Sequence, residues 1–217
     1  MEDISDKFAQ IKSFPFGNIL YKELHVRIGE VIQSSSVSFL AQGYDIKLPP
    51  SVGSIVIAGE TLPSTVGVIQ NVRVEPFDPT RPVIARGESL ESEQDVFHES
   101  PQLLDLLTIR FECLIVAYQD EYGIKEGLAL TPPMIHSFVN GAQPDTLKTV
   151  AKSPAFIRTV LDSKNVDSDS LLIASMRQLE LELEAEVYRD IKAEVKNRLM
   201  AILARETPRL INILGYL

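Results

Sequence analysis

The chain has 217 residues, of which 45% are hydrophobic and 24% are charged, values typical of a globular protein that buries a core of one large or two small domains. No stretch approaches the roughly 18 uninterrupted apolar residues of a membrane span, and the start MEDISDKFAQ lacks the basic and then apolar order of a secretory signal. We therefore expect no membrane span and a cytoplasmic location, or one in an equivalent compartment.

The net charge of −9 is unevenly distributed along the chain. From Leu171 to the end, seven basic residues balance seven acidic ones, so the acidic excess lies before Leu171. Binding to nucleic-acid phosphates depends on clustered Lys and Arg. We therefore predict no direct binding to nucleic acid.

The first third of the chain contains short runs of β-branched and aromatic residues separated by turn residues. Residues 30–32, 36–41 and 45–48 form three such runs, divided by Ser-Ser-Ser and by Gln-Gly-Tyr. Residues 55–58 are a nearly continuous apolar run, which is typical of a strand buried on both faces, and residues 66–74 alternate again. Strands spaced this closely predict a barrel or a sandwich.

Three pieces of this region, IGEVIQSSSVSFLAQ, LPPSVGSIVIAGE and TVGVIQNVRV, resemble the HAS barrel. This barrel is the N-terminal domain of the HerA-type DNA-translocating ATPases and of the catalytic-ring subunits of rotary ATP synthases. Later pieces, RPVIARGE, SPQLLDLLTIRFECLIVAYQD and TPPMIHSFV, are similar to stand-alone HAS-barrel proteins and to the segment that HerA places before its motor. The resemblance covers about residues 19–140 and, more loosely, the rest of the chain, and it implies a small closed β-barrel more strongly than it implies a function.

Three glycines are predicted to shape this barrel. The resemblance places Gly29, Gly53 and Gly67 at recurrent positions: a glycine-valine start, a glycine before the apolar strand and a valine-glycine-valine strand. Glycines of this kind let strands bend tightly at turns and bulges, and we interpret all three as turn or bulge positions. For Gly53, Gly59 and Gly67, close approach of the backbone to a ligand is the alternative.

The middle of the chain has a different pattern. Residues 87–101 are polar and acidic and predict a linker or a crossover over the surface, and residues 102–107 follow as a short helix. Residues 108–119 are the longest predicted strand, with turn glycines before a return arm at residues 128–130. We expect this pair of strands to extend the barrel sheet or to cover one opening of the barrel.

The final third of the chain predicts helices. Proline-led starts mark helices at residues 146–152 and 155–161. A long apolar pattern then begins at Ser168 or Ser170, but its stripe winds around the helix instead of keeping the three-four spacing of a coiled coil. We therefore expect these helices to pack on their own domain or to break near Glu182.

The predicted fold is α+β, with a small closed N-terminal β-barrel, a β-hairpin extension and a C-terminal helical region. The changes of pattern set the domain boundaries. Residues 1–90 form the HAS-like barrel, and residues 91–143 contain the linker, the short helix and the hairpin that packs on the barrel. Residues 144–217 form the helical region.

The sequence lacks the motifs of nucleotide and acyl-transfer chemistry. No glycine is followed by lysine, so the Gly-Lys-Ser/Thr loop (Walker A) that holds nucleotide phosphates is missing, and with it the motor that usually follows this barrel. No Gly-x-Ser-x-Gly elbow occurs. The single cysteine, Cys113, lies in a predicted strand without a nearby histidine or basic cluster, so we expect a buried structural thiol.

Metal-binding and acid–base patterns are also missing. His25, His98 and His136 are 73 and 38 residues apart, without a Cys or His partner at ligand spacing. Four glutamates at alternate positions of residues 180–186 point in different directions on a helix and predict a solvated face. We therefore predict no catalytic, cofactor-binding or metal-binding residues, no cofactor and no enzyme activity.

These absences leave association as the predicted use of the barrel. We expect a non-enzymatic protein-interaction or assembly module with a protein partner, because the barrels of the ring ATPases that this chain resembles contact ring neighbours and accessory subunits. One alternative is an accessory subunit or regulator of a HerA-like ring ATPase in DNA processing. Another is a small-molecule binder or enzyme whose site forms only in three dimensions. A homo-oligomer is compatible with each, and either the barrel or the C-terminal helices could carry the binding surface.

Overall fold

Strands and helices combine in a mixed α+β fold. The structure, a computed structural model, describes residues 27–80, 82–129 and 131–217. The first 26 residues of the predicted first domain, which include His25, lie outside the described part. The strands of the described part are β1 (Arg27–Ser34), β2 (Ser38–Gly43), β3 (Ile55–Ala58), β4 (Ser64–Pro76), β5 (Leu107–Asp120), β6 (Gly123–Glu126) and β7 (Phe138–Gly141). The helices are α1 (Glu93–Glu99), a short 3-10 helix (Pro101–Leu106), α2 (Pro144–Ala151), α3 (Pro154–Leu161), α4 (Ser168–Glu182), α5 (Ala185–Ile202) and α6 (Thr207–Tyr216). None of these helices is long and apolar enough to cross a membrane.

The strands form one seven-stranded antiparallel sheet in the order β2-β1-β7-β3-β4-β5-β6. β2 also pairs with β5, from Ser38 opposite Leu114 to Gly43 opposite Ile109, so the pairings return to β2 after six strands and form a ring. β5 pairs with β4 along most of its length, and the end of β5 pairs with β6. β5 and β7, which the sequence places in the second predicted unit, are therefore strands of the same ring as β1 to β4.

Apolar residues form two cores, one on each side of strands β3, β4 and β5. In β3, Val56 and Ala58 face the inside of the ring, whereas Ile55 and Ile57 face the helices. The continuous apolar run of this strand is thus buried on both faces. The inner core also contains Val31, Phe39, Ala41, Ile69, Ile109, Phe111, Cys113, Ile115 and Val139. The helices contribute to the outer core, among others, Leu147, Val150, Phe156, Val160, Leu172, Met176, Leu179, Ile191, Val195 and Leu199.

Gly29 and Gly67 both lie next to register shifts in the ring. β1 shifts register against β7 just before Gly29, and β4 shifts register against β5 just before Gly67. A Cβ at Gly67 would lie 2.9 Å from Phe39 Cε1, and a Cβ at Gly29 would lie 2.9 Å from Phe111 Cε1. An aromatic ring of the inner core therefore occupies the space that a side chain would need at Gly67, whereas at Gly29 the Gln42 carbonyl oxygen, 2.3 Å from the added Cβ, blocks it together with Phe111.

Gly53 lies in a turn that contacts helix α4. Its φ of +91° is in the region that favours glycine. A Cβ here would lie 2.5 Å from Ala174 C and 2.6 Å from Ser175 N, so the turn touches the backbone of the helix. The Gly53 N–H donates to the Ile69 carbonyl at 2.8 Å. The turn therefore joins the ring to the helical layer.

The helical layer has a capped helix start and the break that the sequence predicts. Ser153 Oγ accepts the N–H groups of Ala155 and Phe156 at 3.1 and 3.2 Å and so caps the start of α3. The long apolar pattern divides into α4 and α5, with Leu183 and Glu184 between them. The predicted break near Glu182 is confirmed.

The predicted strand at residues 45–48 is wrong, because this segment is a turn. Asp45 Oδ1 accepts the Lys47 N–H at 2.8 Å, and the Asp45 carbonyl accepts the Leu48 N–H at 3.2 Å. An aspartate that bonds the backbone two residues on favours a turn over a sheet ladder.

Two further strands differ from the sequence prediction. The return arm after β5 is β6, which begins sooner than the predicted residues 128–130, because Asp120 Oδ1 accepts the Tyr122 N–H at 2.8 Å and closes a tight turn. The sequence pattern does not indicate β7, since four residues are too few to show an alternation. β7 pairs with β1 on one side and with β3 on the other.

Candidate functional site

The connection between β4 and β5 is far longer than the pairing of these strands requires. Two antiparallel neighbours can be joined by a turn of about two residues, but 30 residues lie between Pro76 and Leu107. This β4–β5 connection (residues 77–106) contains α1 and the 3-10 helix. Connections longer than about 15 residues are often functional, so this segment is the first place to look for a site.

The β4–β5 connection encloses an apolar cleft with a volume of about 770 Å³. One wall is the segment that follows β4, and the other wall is formed by α1, the 3-10 helix and the start of β5. Among the described lining residues, only Asp78 and Arg86 are charged. The lining residues of this apolar cleft are Pro76, Phe77, Asp78, Pro79, Pro82, Val83, Ile84, Ala85, Arg86, Val96, Phe97, Leu103, Leu106 and Leu107.

Large apolar side chains at the cleft are open to solvent. Phe77, Val83 and Ile84 are 64%, 69% and 72% exposed. Pro79 and Pro82 have no N–H to donate to a sheet ladder, so this segment stays outside the sheet and its apolar residues join neither core. Exposed apolar side chains gathered at one place are typical of a binding surface, whereas single ones are ordinary.

Hydrogen bonds fix the geometry of the β4–β5 connection at its ends and at the start of α1. The Phe77 N–H donates to the Leu106 carbonyl at 2.8 Å, which holds the first and last residues of the connection together. At the start of α1, the Ser92 N–H and hydroxyl donate to the Asp95 carboxylate at 3.0 and 2.8 Å. This arrangement is a helix-capping box built with aspartate.

The helical wall of the cleft is strongly acidic. Residues 87–106 contain six Asp and Glu residues and neither Lys nor Arg. Four of the acidic residues, Glu88, Glu91, Glu99 and Asp105, are exposed. The connection that forms the cleft therefore carries an acidic stretch outside the apolar lining (the acidic margin), which favours a ligand that is apolar and carries positive charge beside its apolar groups.

Apart from the apolar cleft, a polar cluster lies on the part of the ring that the helices leave uncovered. The Glu30 carboxylate accepts hydrogen bonds from His136 Nδ1 and, at 3.0 Å, from the Tyr44 hydroxyl. Both bonds lower the pKa of Glu30, and the bond from His136 has the larger effect. Arg27 lies 3.9 Å above the Phe138 ring.

His136 itself has a backbone φ of 71°, unusual for a residue other than glycine. Its N–H donates to the Val31 carbonyl at 2.9 Å, which explains how the turn before β7 is held against β1. The side chain is 80% exposed, so the pair with Glu30 is solvated and lacks the enclosed space in which acid–base chemistry is effective. We interpret this cluster as a structural one that holds the turn before β7 against β1.

The other residues singled out in the sequence are dispersed. His98 is exposed on α1, and no group of three or more metal-binding side chains occurs within residues 27–80, 82–129 and 131–217. Cys113 is completely buried in the ring, and burial raises the pKa of its thiol. The three predicted glycines lie in the ring and in the turn at α4, away from the apolar cleft.

Sequence reasoning missed two features. Of the four glutamates in residues 180–186, Glu182 is partly buried, and burial raises its pKa to about 7. The apolar cleft was not predicted either. The available signal was the pair Val83-Ile84, which follows two prolines and precedes the acidic stretch, in a segment without strand or helix pattern.

Comparisons with known proteins do not assign the chain to a family. It matches no protein-family model and no curated protein. The apolar cleft therefore carries the functional argument.

Proposed function

We propose that the protein is a non-enzymatic interaction module that binds an apolar, basic-flanked segment of a partner protein in the apolar cleft. The observation that carries the proposal is the group of exposed apolar side chains, Phe77, Val83 and Ile84, at a cleft of about 770 Å³. Water contact at these side chains is unfavourable, and a partner segment would remove it.

The energy available at the cleft supports a transient interaction. Complete burial of a large aliphatic or aromatic side chain contributes about 1.5–3 kcal/mol. Phe77, Val83 and Ile84 are each about two-thirds exposed, so covering all three contributes about 3–6 kcal/mol. A micromolar complex requires about 8 kcal/mol. The remaining contacts must come from the rest of the cleft and from its acidic margin.

Charge complementarity defines the chemistry of the partner segment. The acidic stretch at residues 87–106 favours Lys or Arg on either side of the apolar residues. We expect association to slow as salt is added, because exposed charges steer the encounter and salt screens them.

The ring of strands supports a second, related proposal. We infer that the six-stranded ring is a small closed barrel of the HAS type, and that the partner could be a HerA-like ring ATPase in DNA processing. The supporting observation is that the helices pack on β3, β4 and β5 and leave the outer faces of β1 and β2 uncovered. In the ring ATPases that the chain resembles, the barrel contacts its ring neighbours.

The volume of the cleft also favours a third candidate, an apolar small molecule. Sites for small molecules have volumes of about 300–1,000 Å³ and mostly apolar walls, and the apolar cleft meets both conditions. A fatty acid that displaces a bound peptide would show that this candidate and the protein partner use the same site.

Selection from a random peptide library with the purified full chain tests the main proposal. The selected peptides should contain aromatic or aliphatic residues next to Lys or Arg. Replacing Val83→Asp together with Ile84→Asp should weaken their binding by about tenfold or more, since the loss of two apolar contacts exceeds about 1.4 kcal/mol.

The control for this experiment is Ile211→Asp on α6. Ile211 is 65% exposed and lies outside the cleft, so this variant should bind the peptides as the unchanged chain does. Selected peptides that bind the cleft variant as tightly as the control would contradict the proposal, provided that both variants keep their melting temperature.

A further inference from the structure

We propose that the partner segment binds as an added β-strand along the outer edge of β4 and continues from there into the apolar cleft. This surface, the β4 edge, is the side of residues 72–76 that faces away from β5. The inference rests on the proposed function, because one segment would occupy both the β4 edge and the cleft. It names the conformation of the partner segment and the backbone groups that recognise it.

β4 extends beyond its neighbour on the side opposite β5. It pairs with β5 as far as Pro76, but its pairing with β3 ends at Val68. One further backbone bond on this side runs from the Ile69 N–H to the Ser54 carbonyl at 3.0 Å. Among the described strands, none pairs with residues 72–76 on this side. A strand edge of this kind carries N–H and C=O groups that are a template for another strand.

The alternation of backbone bonds determines which groups face the β4 edge. The Phe77 N–H donates to the Leu106 carbonyl, on the β5 side, at 2.8 Å. Since the direction of hydrogen bonding alternates along an antiparallel strand, the backbone groups of Val72, Val74 and Pro76 face away from β5. Pro76 has no N–H, and a sheet accepts proline at an edge, where the missing N–H is not needed by the ladder.

The bulge in β4 leads to the same assignment. The backbone of Ile69 faces the β3 side, where it bonds Ser54. The register against β5 then skips Gln70, which is the extra residue of the bulge. Because one extra residue shifts the alternation by one, Val72 faces the side that Ile69 faces. The count forward from Ile69 therefore agrees with the count back from Phe77.

The chain that leads into β3 turns instead of following the β4 edge. The Ser54 N–H donates to the Ser51 carbonyl at 3.2 Å, and Gly53 has a φ of +91°. The apolar side chains beside this turn and on the edge are open to solvent, since Val52 is 39% and Val74 is 56% exposed. An added strand can therefore take the line that β3 leaves at this turn.

The direction of the added strand joins the β4 edge to the cleft. β3 runs antiparallel to β4, so a strand on the same line has its N-terminal end beside Pro76. Pro76 and Phe77 also line the cleft, and the acidic stretch at residues 87–106 belongs to the same connection. The expected partner segment therefore has apolar residues flanked by Lys or Arg, followed by a strand of about five residues, or about 17 Å.

The strand part of the partner segment should alternate apolar and polar residues. Val72 packs against the inner core of the ring, and Val74, two residues on, lies on the same face of β4. Every second side chain of the added strand would lie beside these two valines, and β-branched and aromatic residues form the most favourable pairs across neighbouring strands. Backbone bonds to the β4 edge supply affinity, and these alternate side chains supply specificity.

Amide hydrogen exchange of the full chain, resolved by NMR, tests the proposal. Without a ligand, the N–H groups of Val72 and Val74 should exchange about tenfold or more faster than those of Arg73 and Glu75, which the β5 ladder protects. Saturation with a library-selected peptide should slow exchange at Val72 and Val74 about tenfold or more. Equal exchange at all four positions without a ligand, or unchanged exchange at Val72 and Val74 with the peptide bound, would overturn strand addition.

A pair of variants tests the same backbone group by affinity. Val74→Pro removes an N–H that faces the β4 edge and leaves the bonds to β5 in place, so it should weaken binding of the selected peptide about tenfold or more. Val74→Ala is the matched control, which keeps the N–H and loses only apolar contact, and it should weaken binding by less than about threefold. Equal losses in the two variants would contradict backbone pairing at this edge.

Methylation of the peptide backbone tests the pairing with the protein unchanged. Methyl groups placed one at a time on the peptide nitrogens should weaken binding at every second position of the strand part, where the N–H donates to the β4 edge. Losses without this alternation, together with binding that still depends on Val83 and Ile84, would overturn strand addition and leave the proposed function standing. Peptides that ignore Val83→Asp and Ile84→Asp would contradict the proposed function itself.

Discussion

Replacing Gly53 with alanine should lower the free energy of unfolding by about 3 kcal/mol. Two costs add. The φ of +91° is unfavourable for a residue with a Cβ, by about 1–2 kcal/mol. The new Cβ would also lie 2.5 Å from Ala174 C and 2.6 Å from Ser175 N, and such overpacking costs about 1–3 kcal/mol. Because the obstacle is the helix backbone and not the end of a flexible side chain, the contact cannot be relieved by a rotamer change.

Thermal unfolding followed by circular dichroism measures this loss. In a chain of this size 1 kcal/mol corresponds to about 2–4 °C, so we expect the melting temperature to fall by about 6–12 °C. Gly127→Ala is the matched control, since Gly127 has a φ of +95° but no atom within 4 Å of the added Cβ. Gly141→Ala has open space and no positive φ, and should be nearly neutral. A loss at Gly53 no larger than the loss at Gly127 would refute the tight contact between the turn and α4.

Three further predictions concern the ring and the helical layer. Gly67→Ala should lower the free energy of unfolding by about 1–3 kcal/mol through contact with Phe39. The loss, measured by chemical denaturation, should be smaller in a Phe39→Leu background. Equal losses in the two backgrounds would argue against this contact. The pKa of Glu182 is raised to about 7, so the folded protein holds this proton more tightly than the unfolded chain does. The protonated Glu182 therefore contributes fully to stability below about pH 4.5, and this contribution should be lost as the pH rises through 7. The expected loss in the free energy of unfolding is about 2 kcal/mol after allowance for partial exposure. Glu182→Gln should flatten that pH dependence, and an identical pH profile in denaturation would contradict the assignment. Cys113 should react with a thiol reagent only on unfolding, because it is buried and its pKa is raised; rapid reaction in the native protein would contradict this.

Elements with strong local signals could be predicted from the sequence. The apolar run at β3 and the long alternating runs of β4 and β5 predict strands because β-branched residues fill them. The winding of the apolar stripe predicts helices that pack on their own domain or break near Glu182, and the structure has the break, between α4 and α5. β7 could not be predicted in the same way, because Phe138–Gly141 has neither a continuous apolar run nor an alternation, and its pairing with β1 and β3 makes it a strand.

The candidate site is less visible in the sequence than the fold. Val83 and Ile84 are ordinary residues for a core, and only their exposure beside α1 and the 3-10 helix makes them part of a binding surface. The raised pKa of Glu182 depends on its burial in the tertiary structure, which alternation in the sequence does not reveal. Positions with unusual backbone demands, such as Gly53, are recognisable as turns, but their contact with α4 depends on tertiary structure.

Hydrogen–deuterium exchange of the full chain, with and without a library-selected peptide, tests the central proposal most directly. It distinguishes the cleft from the uncovered face of the ring and from the C-terminal helices. We expect protection to increase within residues 76–107 and to remain unchanged in β1, β2, α5 and α6. Protection that appears in β1 and β2, or in α5 and α6, while residues 76–107 exchange as before would contradict the assignment of binding to the apolar cleft.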